Sequence, residues 1–123
     1  MVYTICIGSN EQRQRNMAYA RRRLSELFPG IRFSTEEETL PLQMQRQELF
    51  SNQVARFQSD TTPDAVKQQF KRIEQEAGRC PEEKAAGIVR LDIDLIACDT
   101  TVYKPEDLQR EYIRRGIRQL DKT

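Results

Sequence analysis

The stretch Gly87–Asp99, with the sequence GIVRLDIDLIACD, alternates apolar and polar side chains and therefore predicts a β-strand. The apolar set, which can face a hydrophobic core, consists of Leu91, Ile93, Leu95 and Ala97. The opposite set consists of Arg90, Asp92, Asp94 and Ile96. Residues two positions apart on a strand share a face at a distance of about 7 Å. The stretch therefore places two carboxylates, those of Asp92 and Asp94, side by side.

The carboxylates of Asp92 and Asp94 allow two interpretations. Like charges at this distance repel each other, and water screens the repulsion when the strand faces solvent. In a pocket the pair would need a cation, and hard oxygen ligands of this kind suit Mg²⁺ with phosphate as a further ligand. A short motif alone leaves both a solvated strand face and a magnesium–phosphate site open.

The composition narrows the class of protein. The 123 residues are typical of one domain, 1–123. Charged residues make up 32% of the chain and the net charge is +1, which argues against a dedicated nucleic-acid-binding protein. No apolar run is long enough to span a bilayer and no signal peptide precedes Val2, so we expect no membrane partner.

Cysteine and histidine usage restricts the chemistry. The three cysteines, Cys6, Cys80 and Cys98, form neither a disulfide framework nor a zinc-binding pattern, which predicts a reducing cytoplasm. The chain contains no histidine, so histidine metal sites and histidine acid–base catalysis are excluded. The sequence thus indicates a cytoplasmic protein without histidine-dependent chemistry.

Hydrophobic periodicity and turn residues predict the other elements. The predicted strands are Val2–Ile7, Ile31–Leu40, Phe50–Gln58 and Val89–Ala97; helices run from Gly8-Ser9-Asn10 to Pro29-Gly30, from Thr62-Pro63-Asp64 to Gly78, and onward from Pro105. The first six elements have the order of the split βαβ arrangement, which is the ferredoxin-like fold. We therefore expect an α+β fold, with a mainly antiparallel sheet and helices packed on one face.

Polar residues and proline mark the helix starts. Ser9 and Asn10 are candidate N-caps of the first helix. Thr62 is the candidate N-cap of the second helix, since Pro63 suits the first helical position. The charged segment Arg79–Gly87 is predicted to be a loop that leads into the carboxylate strand.

Several short motifs occur in the order in which one enzyme family carries them. They are Ile7-Gly8-Ser9-Asn10, Thr39-Leu40-Pro41, Phe50-Ser51-Asn52, Arg72-Ile73-Glu74 with Gly78-Arg79, and Leu91-Asp92-Ile93-Asp94. Through these motifs the chain resembles the 6-hydroxymethyl-7,8-dihydropterin pyrophosphokinase family of the folate pathway. No single motif is specific, so the resemblance rests on their order along the chain.

The resemblance implies transfer of pyrophosphate from MgATP to the hydroxymethyl group of a pterin, with AMP as the other product. It implies that Asp92, Asp94 and Arg79 are catalytic and that the two aspartates bind two Mg²⁺ ions. The positions that match the pterin pocket are Thr39, Leu42, Phe50 and Asn52. The ATP side would be formed by Glu74, Arg79 and Arg90. The implied partners are ATP and a pterin, without nucleic acid or membrane, and we expect a monomer.

The segment before the carboxylate strand departs from the family pattern. The family carries a second arginine, a tryptophan and a further arginine where this chain has Pro81, Ala86 and Val89. Arg90 lies one residue later; strand alternation places it on the carboxylate face, where it could replace a missing cation or pair with an aspartate. Because cations stabilise a phosphoryl group in transfer, we predict slower turnover than in relatives with the complete loop.

Two other functions stay open. A diverged family member could bind nucleotide or pterin with little or no catalysis, because several phosphate-binding cations are missing. An RNA-binding module has the same order of elements and would need exposed aromatic side chains on its first and third strands, for which Tyr3 and Phe57 are candidates. The near-neutral charge argues against that second alternative.

Overall fold

In the computed structural model, which describes residues 1–40 and 48–122, helices flank one antiparallel sheet. The strands are β1 (Val2–Ser9), β2 (Arg32–Phe33), β3 (Glu37–Thr39), β4 (Phe50–Gln58), β5 (Asp92–Cys98) and β6 (Thr101–Val102). The helices are α1 (Arg13–Leu27), α2 (Pro63–Glu76), α3 (Pro81–Ala85) and α4 (Glu111–Asp121), with a 3-10 turn at Asp107–Gln109. The predicted α+β, ferredoxin-like fold class is confirmed.

The sheet is organised around β1, which lies between β4 and β5 and pairs antiparallel with both. The strand order is β2-β4-β1-β5-β6, and β3 pairs with the first residues of β4. This register places Gly8 opposite Asn52 on one side and opposite Asp92 on the other. The centre of the sheet therefore brings together residues that are far apart in the sequence.

The predicted strand Ile31–Leu40 is two short strands, β2 and β3, because the backbone pairing with β4 is interrupted between them. Ser34 causes the interruption: its Oγ accepts a hydrogen bond from the Val54 N–H at 2.9 Å, which takes the place of a backbone carbonyl. The Ser34 N–H still donates to the Val54 carbonyl at 2.8 Å. A hydroxyl that bonds to the neighbouring backbone competes with a regular ladder in this way.

A bulge interrupts the alternation of β5. Thr4 faces Ala97 and Ile5 faces Leu95 across the ladder, so Ile96 is an extra residue on β5. A bulge of this kind shifts the alternation beyond it. The prediction that Ala97 faces the main core is therefore wrong, and Cys98 occupies that place.

The predicted packing of two helices on one face is confirmed for α1 and α2. The Thr62 side chain accepts a hydrogen bond from the Ala65 N–H, and Pro63 begins α2 as predicted. The N-cap of α1 is Gln12 at φ 45°, so the prediction of Ser9 or Asn10 is wrong. The core beneath these helices includes Tyr3, Ile5, Ile7, Met17, Ala20, Leu24, Ala55, Phe57, Val66, Phe70, Ile73, Leu91, Ile93 and Leu95.

The last helix, α4, begins at Glu111 and not at the predicted Pro105, because the 3-10 turn at Asp107–Gln109 comes first, and it covers part of the opposite face of the sheet. A second apolar cluster lies beneath it and consists of Cys6, Val54, Ile96, Ile113 and Leu120. Gly116 allows the close approach, since a Cβ at this position would lie 2.5 Å from Val54 Cγ2. The sheet is therefore covered by helices on both faces. The start of α4 and the part of β5 that carries Asp92 and Asp94 leave a cavity between them.

Tyr3 and Phe57 stack on each other in the main core, with ring centroids 5.0 Å apart. Both side chains are buried beneath α1 and α2. They therefore cannot stack on bases, and the RNA-binding alternative loses the two aromatic residues on which it depended. No helix within the described ranges is long and apolar enough to cross a membrane.

Candidate active site

Asp92 and Asp94 lie in the first half of β5, beside the central strand β1 and on the face opposite α1 and α2. The ladder fixes their positions, because Asp92 pairs with Gly8 and Asp94 with Cys6. Burial raises the pKa of Asp94 to about 7, the charge of Asp92 adds to the rise, and the charge of Lys104 opposes it. The pair is therefore a half-buried carboxylate site and not a fully solvated strand face.

Arg79 connects this pair to α2. Its Nη1 lies 2.7 Å from Asp92 Oδ1 and 3.0 Å from Glu74 Oε2. The same oxygen of Glu74 accepts a hydrogen bond from the Ile93 N–H at 2.7 Å. Glu74 is only 9% exposed, and burial raises the pKa of its carboxyl. Because a buried carboxylate needs such partners, Glu74 and Arg79 together hold β5 against the end of α2 and orient Asp92.

A cavity of about 650 Å³ lies between α2, α3 and β5, and we call it the α2 cavity. Its charged lining consists of the carboxylates Glu74, Asp92 and Asp94 and the basic residues Lys67, Lys71, Arg79, Lys84 and Lys104. Tyr103 also lines it, and the Lys67 Nζ lies 4.6 Å from the centre of its ring. Five basic groups face three carboxylates, so the cavity favours a multiply charged anion.

A second cavity, of about 490 Å³, lies between the sheet and the start of α4, and we call it the α4 cavity. Thr39, Phe50 and Asn52 line it, as does the aspartate pair. The Asn52 Nδ2 donates a hydrogen bond to Thr39 Oγ1 at 2.7 Å, which fixes the orientation of the amide. Gly8 lies in the same lining, beside the Asn52 amide. The cavity therefore offers an oriented amide, an aromatic ring and carboxylates to a planar polar ligand.

The segment Asp107–Tyr112, which leads into α4 and includes its first residues, adds residues to the α4 cavity that the sequence analysis did not predict. Asp107, Arg110 and Tyr112 line this cavity. The Arg110 Nε lies 3.4 Å from Asp107 Oδ1, and its Nη1 donates to the Tyr112 hydroxyl at 3.4 Å. The charge of this wall is therefore largely balanced within the segment itself.

Arg90 lies elsewhere than predicted. Its Nε and Nη2 donate to the two carboxylate oxygens of Glu83, both at 2.8 Å, and it lines neither of the two cavities. The prediction that it faces Asp92 and Asp94 is wrong, because the regular strand begins only at Asp92. Val89 before it is held by the Asn10 side chain, which accepts from the Val89 N–H at 2.7 Å.

Two further predictions have different outcomes. The segment Arg79–Gly87 is not a loop throughout, because α3 begins at Pro81, a residue that suits the first position of a helix. The predicted pterin residue Leu42 lies outside the described residues. Of the predicted site residues, Thr39, Phe50, Asn52, Glu74, Arg79, Asp92 and Asp94 line one or both cavities.

One group of missed residues had a signal in the sequence. Lys67 and Lys71 lie four positions apart, and Lys71 lies three positions before the predicted Glu74, which places both lysines on the same face of α2 as that residue. Lys104, by contrast, follows β6, and its position depends on how the chain turns back towards β5. No local pattern reports such a turn.

The aspartate pair is a candidate metal site. Among residues 1–40 and 48–122, no group of three or more Asp, Glu, Cys or His side chains forms a metal-binding cluster. Two carboxylates are nevertheless enough for Mg²⁺, which keeps several waters and takes substrate phosphates as ligands. The raised pKa of Asp94, caused by burial and by Asp92, also fits a site where a cation would favour the ionised pair.

Comparison with known proteins gives two findings. A search of curated proteins returns no match. The model of the 7,8-dihydro-6-hydroxymethylpterin-pyrophosphokinase (HPPK) family matches residues 4–122. The matched range begins within β1 and ends just after α4, so it includes every described residue of the two cavities.

Proposed function

Because the chain belongs to the 7,8-dihydro-6-hydroxymethylpterin-pyrophosphokinase family, we propose that it transfers pyrophosphate from MgATP to 6-hydroxymethyl-7,8-dihydropterin and releases AMP. Members of this family are ATP-dependent pterin pyrophosphokinases of folate biosynthesis. In our proposal residues 1–123 act as one pyrophosphokinase-like domain. A monomeric state and a cytoplasmic location stay predictions from the sequence.

One observation carries the proposal: Asp92 and Asp94 line both cavities. A ligand in the α2 cavity and a ligand in the α4 cavity would therefore meet at the same two carboxylates. Transfer of a pyrophosphoryl group between two substrates requires alignment and charge neutralisation rather than a covalent enzyme intermediate. A shared carboxylate pair between two cavities supplies the place for such alignment.

We assign ATP to the α2 cavity. Its surplus of basic side chains suits a polyphosphate, whose charge must be stabilised more strongly in the transition state than in the ground state. Arg79 holds Asp92 in position through their 2.7 Å contact. Its side chain also lines the α2 cavity, between the aspartate pair and the end of α2. Glu74, which is buried, acts through Arg79 and the Ile93 N–H rather than by direct exposure to the nucleotide.

We assign the pterin to the α4 cavity. The Asn52 amide can present a donor and an acceptor to the edge of the pterin ring, and Thr39 limits its rotation. Phe50 offers a ring on which a flat heterocycle can pack. The role of Leu42 in the same pocket stays a prediction from the family resemblance.

The residues that would hold magnesium are Asp92 and Asp94. When bound there, Mg²⁺ would neutralise phosphate charge and favour ionisation of the attacking hydroxyl. The resemblance predicts two ions. The chain's own contribution is to keep both carboxylates on one face of β5, between the two cavities.

The alternative function, binding with little or no catalysis, is favoured by one observation. Arg79 and Arg90, the two arginines predicted for ATP, are both paired with carboxylates. If no other cation serves the phosphates, the nucleotide could bind without efficient transfer. The two functions differ in whether AMP is formed.

The deciding experiment incubates the protein with MgATP and 6-hydroxymethyl-7,8-dihydropterin and follows AMP and the pterin diphosphate by mass spectrometry. We expect both products in equal amounts, and neither product without the pterin. Binding of both ligands without AMP would establish the alternative instead. Absence of pterin binding in the presence of a non-hydrolysable ATP analogue would rule out the proposed pyrophosphokinase activity.

A pair of matched variants connects the activity to the site. Asp92→Ala should abolish tight binding of the MgATP analogue, because Mg²⁺ binds well only together with the triphosphate. Asp60→Ala removes an exposed carboxylate that lines neither cavity and should bind like the wild type. Equal binding by both variants would show that the carboxylates of β5 are not the metal site.

A further inference from the structure

The arginines that the sequence analysis assigned to ATP are engaged in ion pairs. Arg79 contacts Asp92 and Glu74 through the same nitrogen, at 2.7 and 3.0 Å. Arg90 forms a two-point contact with Glu83 outside both cavities. A cation that is already paired offers less charge to a phosphate, because binding must first replace its carboxylate partner.

The lysines of the α2 cavity differ in this respect. Lys71, Lys84 and Lys104 line the cavity, and none of them forms an ion pair with a carboxylate of the described residues. Lys67 has a partner, since its ammonium group sits over the ring of Tyr103. The unpaired positive charge of the cavity is therefore carried by lysines.

These lysines come from three different parts of the fold. Lys71 lies on α2, Lys84 on α3, and Lys104 in the turn after β6. The turn is fixed to the bulge of β5, because the N–H groups of Tyr103 and Lys104 both donate to the Ile96 carbonyl, at 2.8 and 3.3 Å. Lys104 is close enough to Asp94 for its charge to lower the pKa of that carboxyl, and Lys71 and Lys84 line the same cavity from α2 and α3.

We propose that Lys71, Lys84 and Lys104 bind the triphosphate of ATP in this protein and take the place of the arginines missing from the segment before β5. The inference rests on the proposed function, because it assumes that the α2 cavity takes the nucleotide. Lysine suits the task, since its ammonium group is a compact charge on a long side chain and can follow the phosphates during transfer. Arg79 is then a positioning residue for Asp92.

The test measures binding of the magnesium complex of α,β-methylene-ATP by calorimetry for Lys71→Gln, Lys84→Gln and Lys104→Gln. Loss of a hydrogen bond between charged groups should weaken binding roughly 10-fold in each variant. The affinity for AMP should change much less, because the contacts are made to the phosphates beyond the first. Lys122→Gln, an exposed residue just after α4, is the control and should bind like the wild type.

Lys104→Arg provides a rescue, since it restores the charge and should recover most of the lost affinity. Unchanged binding in all three glutamine variants would overturn the inference, and so would an equal loss of AMP affinity. Failure of the wild type to bind the analogue would overturn it as well. Binding that depends on the lysines, without AMP formation from MgATP and the pterin, would support this inference and contradict the proposed function.

Discussion

The α2 cavity and the α4 cavity share Asp92 and Asp94 but are built in different ways. The α2 cavity draws its basic groups from α2, from α3 and from the segments that follow α2 and β6, and four of these five groups are long lysine side chains. The α4 cavity draws Gly8 and Asn52 from paired strands, where register fixes each position. The difference corresponds to two kinds of ligand recognition within one site.

Recognition of a polyphosphate depends mainly on the amount and sign of charge, which flexible side chains can supply. Recognition of a heterocycle depends on matched donors and acceptors, which must be held in place before the ligand arrives. The short contact between Asn52 and Thr39 holds the amide in this way. If the two cavities bind different ligands and share only Asp92 and Asp94, which we call the border residues, substitutions in each part should have different effects.

The largest effect should come from a substitution of one of the two border residues. Asp94→Asn removes a carboxylate that both cavities share, and we expect the rate of AMP formation to fall by roughly 1000-fold. Steady-state kinetics with both substrates would measure this loss, with Asp60→Asn as the exposed control. A rate within tenfold of the wild type would show that the shared pair is not part of the reaction.

The second effect should separate the two cavities. Asn52→Leu keeps the approximate side-chain volume but removes the donor and the acceptor, and we expect the KM for the pterin to rise about 10- to 100-fold. Binding of the MgATP analogue alone should stay unchanged, since Asn52 does not line the α2 cavity. Equal weakening of both ligands would show that the cavities are not independent.

The third effect concerns the helix that forms one wall of the α4 cavity. Gly116→Ala would place a methyl group 2.5 Å from Val54 Cγ2, so α4 must shift, and we expect the free energy of unfolding to fall by about 2 kcal/mol. Chemical denaturation would measure this change. The double variant Gly116→Ala with Val54→Ala should recover part of the loss, and the absence of any recovery would place the strain elsewhere.

The smallest effect uses the pH dependence of the border residue. Asp94 has a pKa near 7 in the fold because of burial and Asp92, and about 4 in the unfolded chain, so its ionisation opposes folding as the pH rises from 4 towards 8. In the absence of ligands Asp94→Asn should therefore be more stable than the wild type at pH 8, by about 1 kcal/mol after allowance for solvent screening. Thermal melts would measure the difference.

The same comparison at pH 5 is the control for the stability measurement. There the carboxyl of Asp94 is protonated in the fold but mostly ionised in the unfolded chain, so the advantage of the variant should fall to about a third of its value at pH 8. An advantage of the variant that is equal at both pH values would point to packing and not to charge. A less stable variant at pH 8 would show that the ionised carboxylate is already well compensated.

The sequence could predict the parts of the fold that local patterns determine. The alternation of β5 up to Leu95 placed Asp92 and Asp94 on one face, and Thr62 and Pro63 marked the start of α2. These predictions succeed because strand periodicity and helix capping involve neighbours in the chain.

Several of the predictions that failed depend on contacts that strand periodicity does not report. The bulge at Ile96 arises because two consecutive residues of β1, Thr4 and Ile5, pair with Ala97 and Leu95 of β5. The sequence of β5 alone does not show this pairing. Arg90 turns away from the aspartates because Glu83 offers it a two-point partner on α3. The lysines of the α2 cavity likewise come together only through the packing of α2, α3 and the turn after β6.

The central position of β1 in the sheet has a consequence for folding during synthesis on the ribosome. Its two partners are β4, which ends at Gln58, and β5, which begins at Asp92, so one edge of the first strand stays open until most of the chain has been made. Unpaired strand edges with apolar side chains are prone to join other chains. We expect nascent chains released before residue 92 to need protection by a chaperone, because one edge of β1 is still unpaired in them. The strand that covers this edge, β5, is also the strand that carries the aspartates.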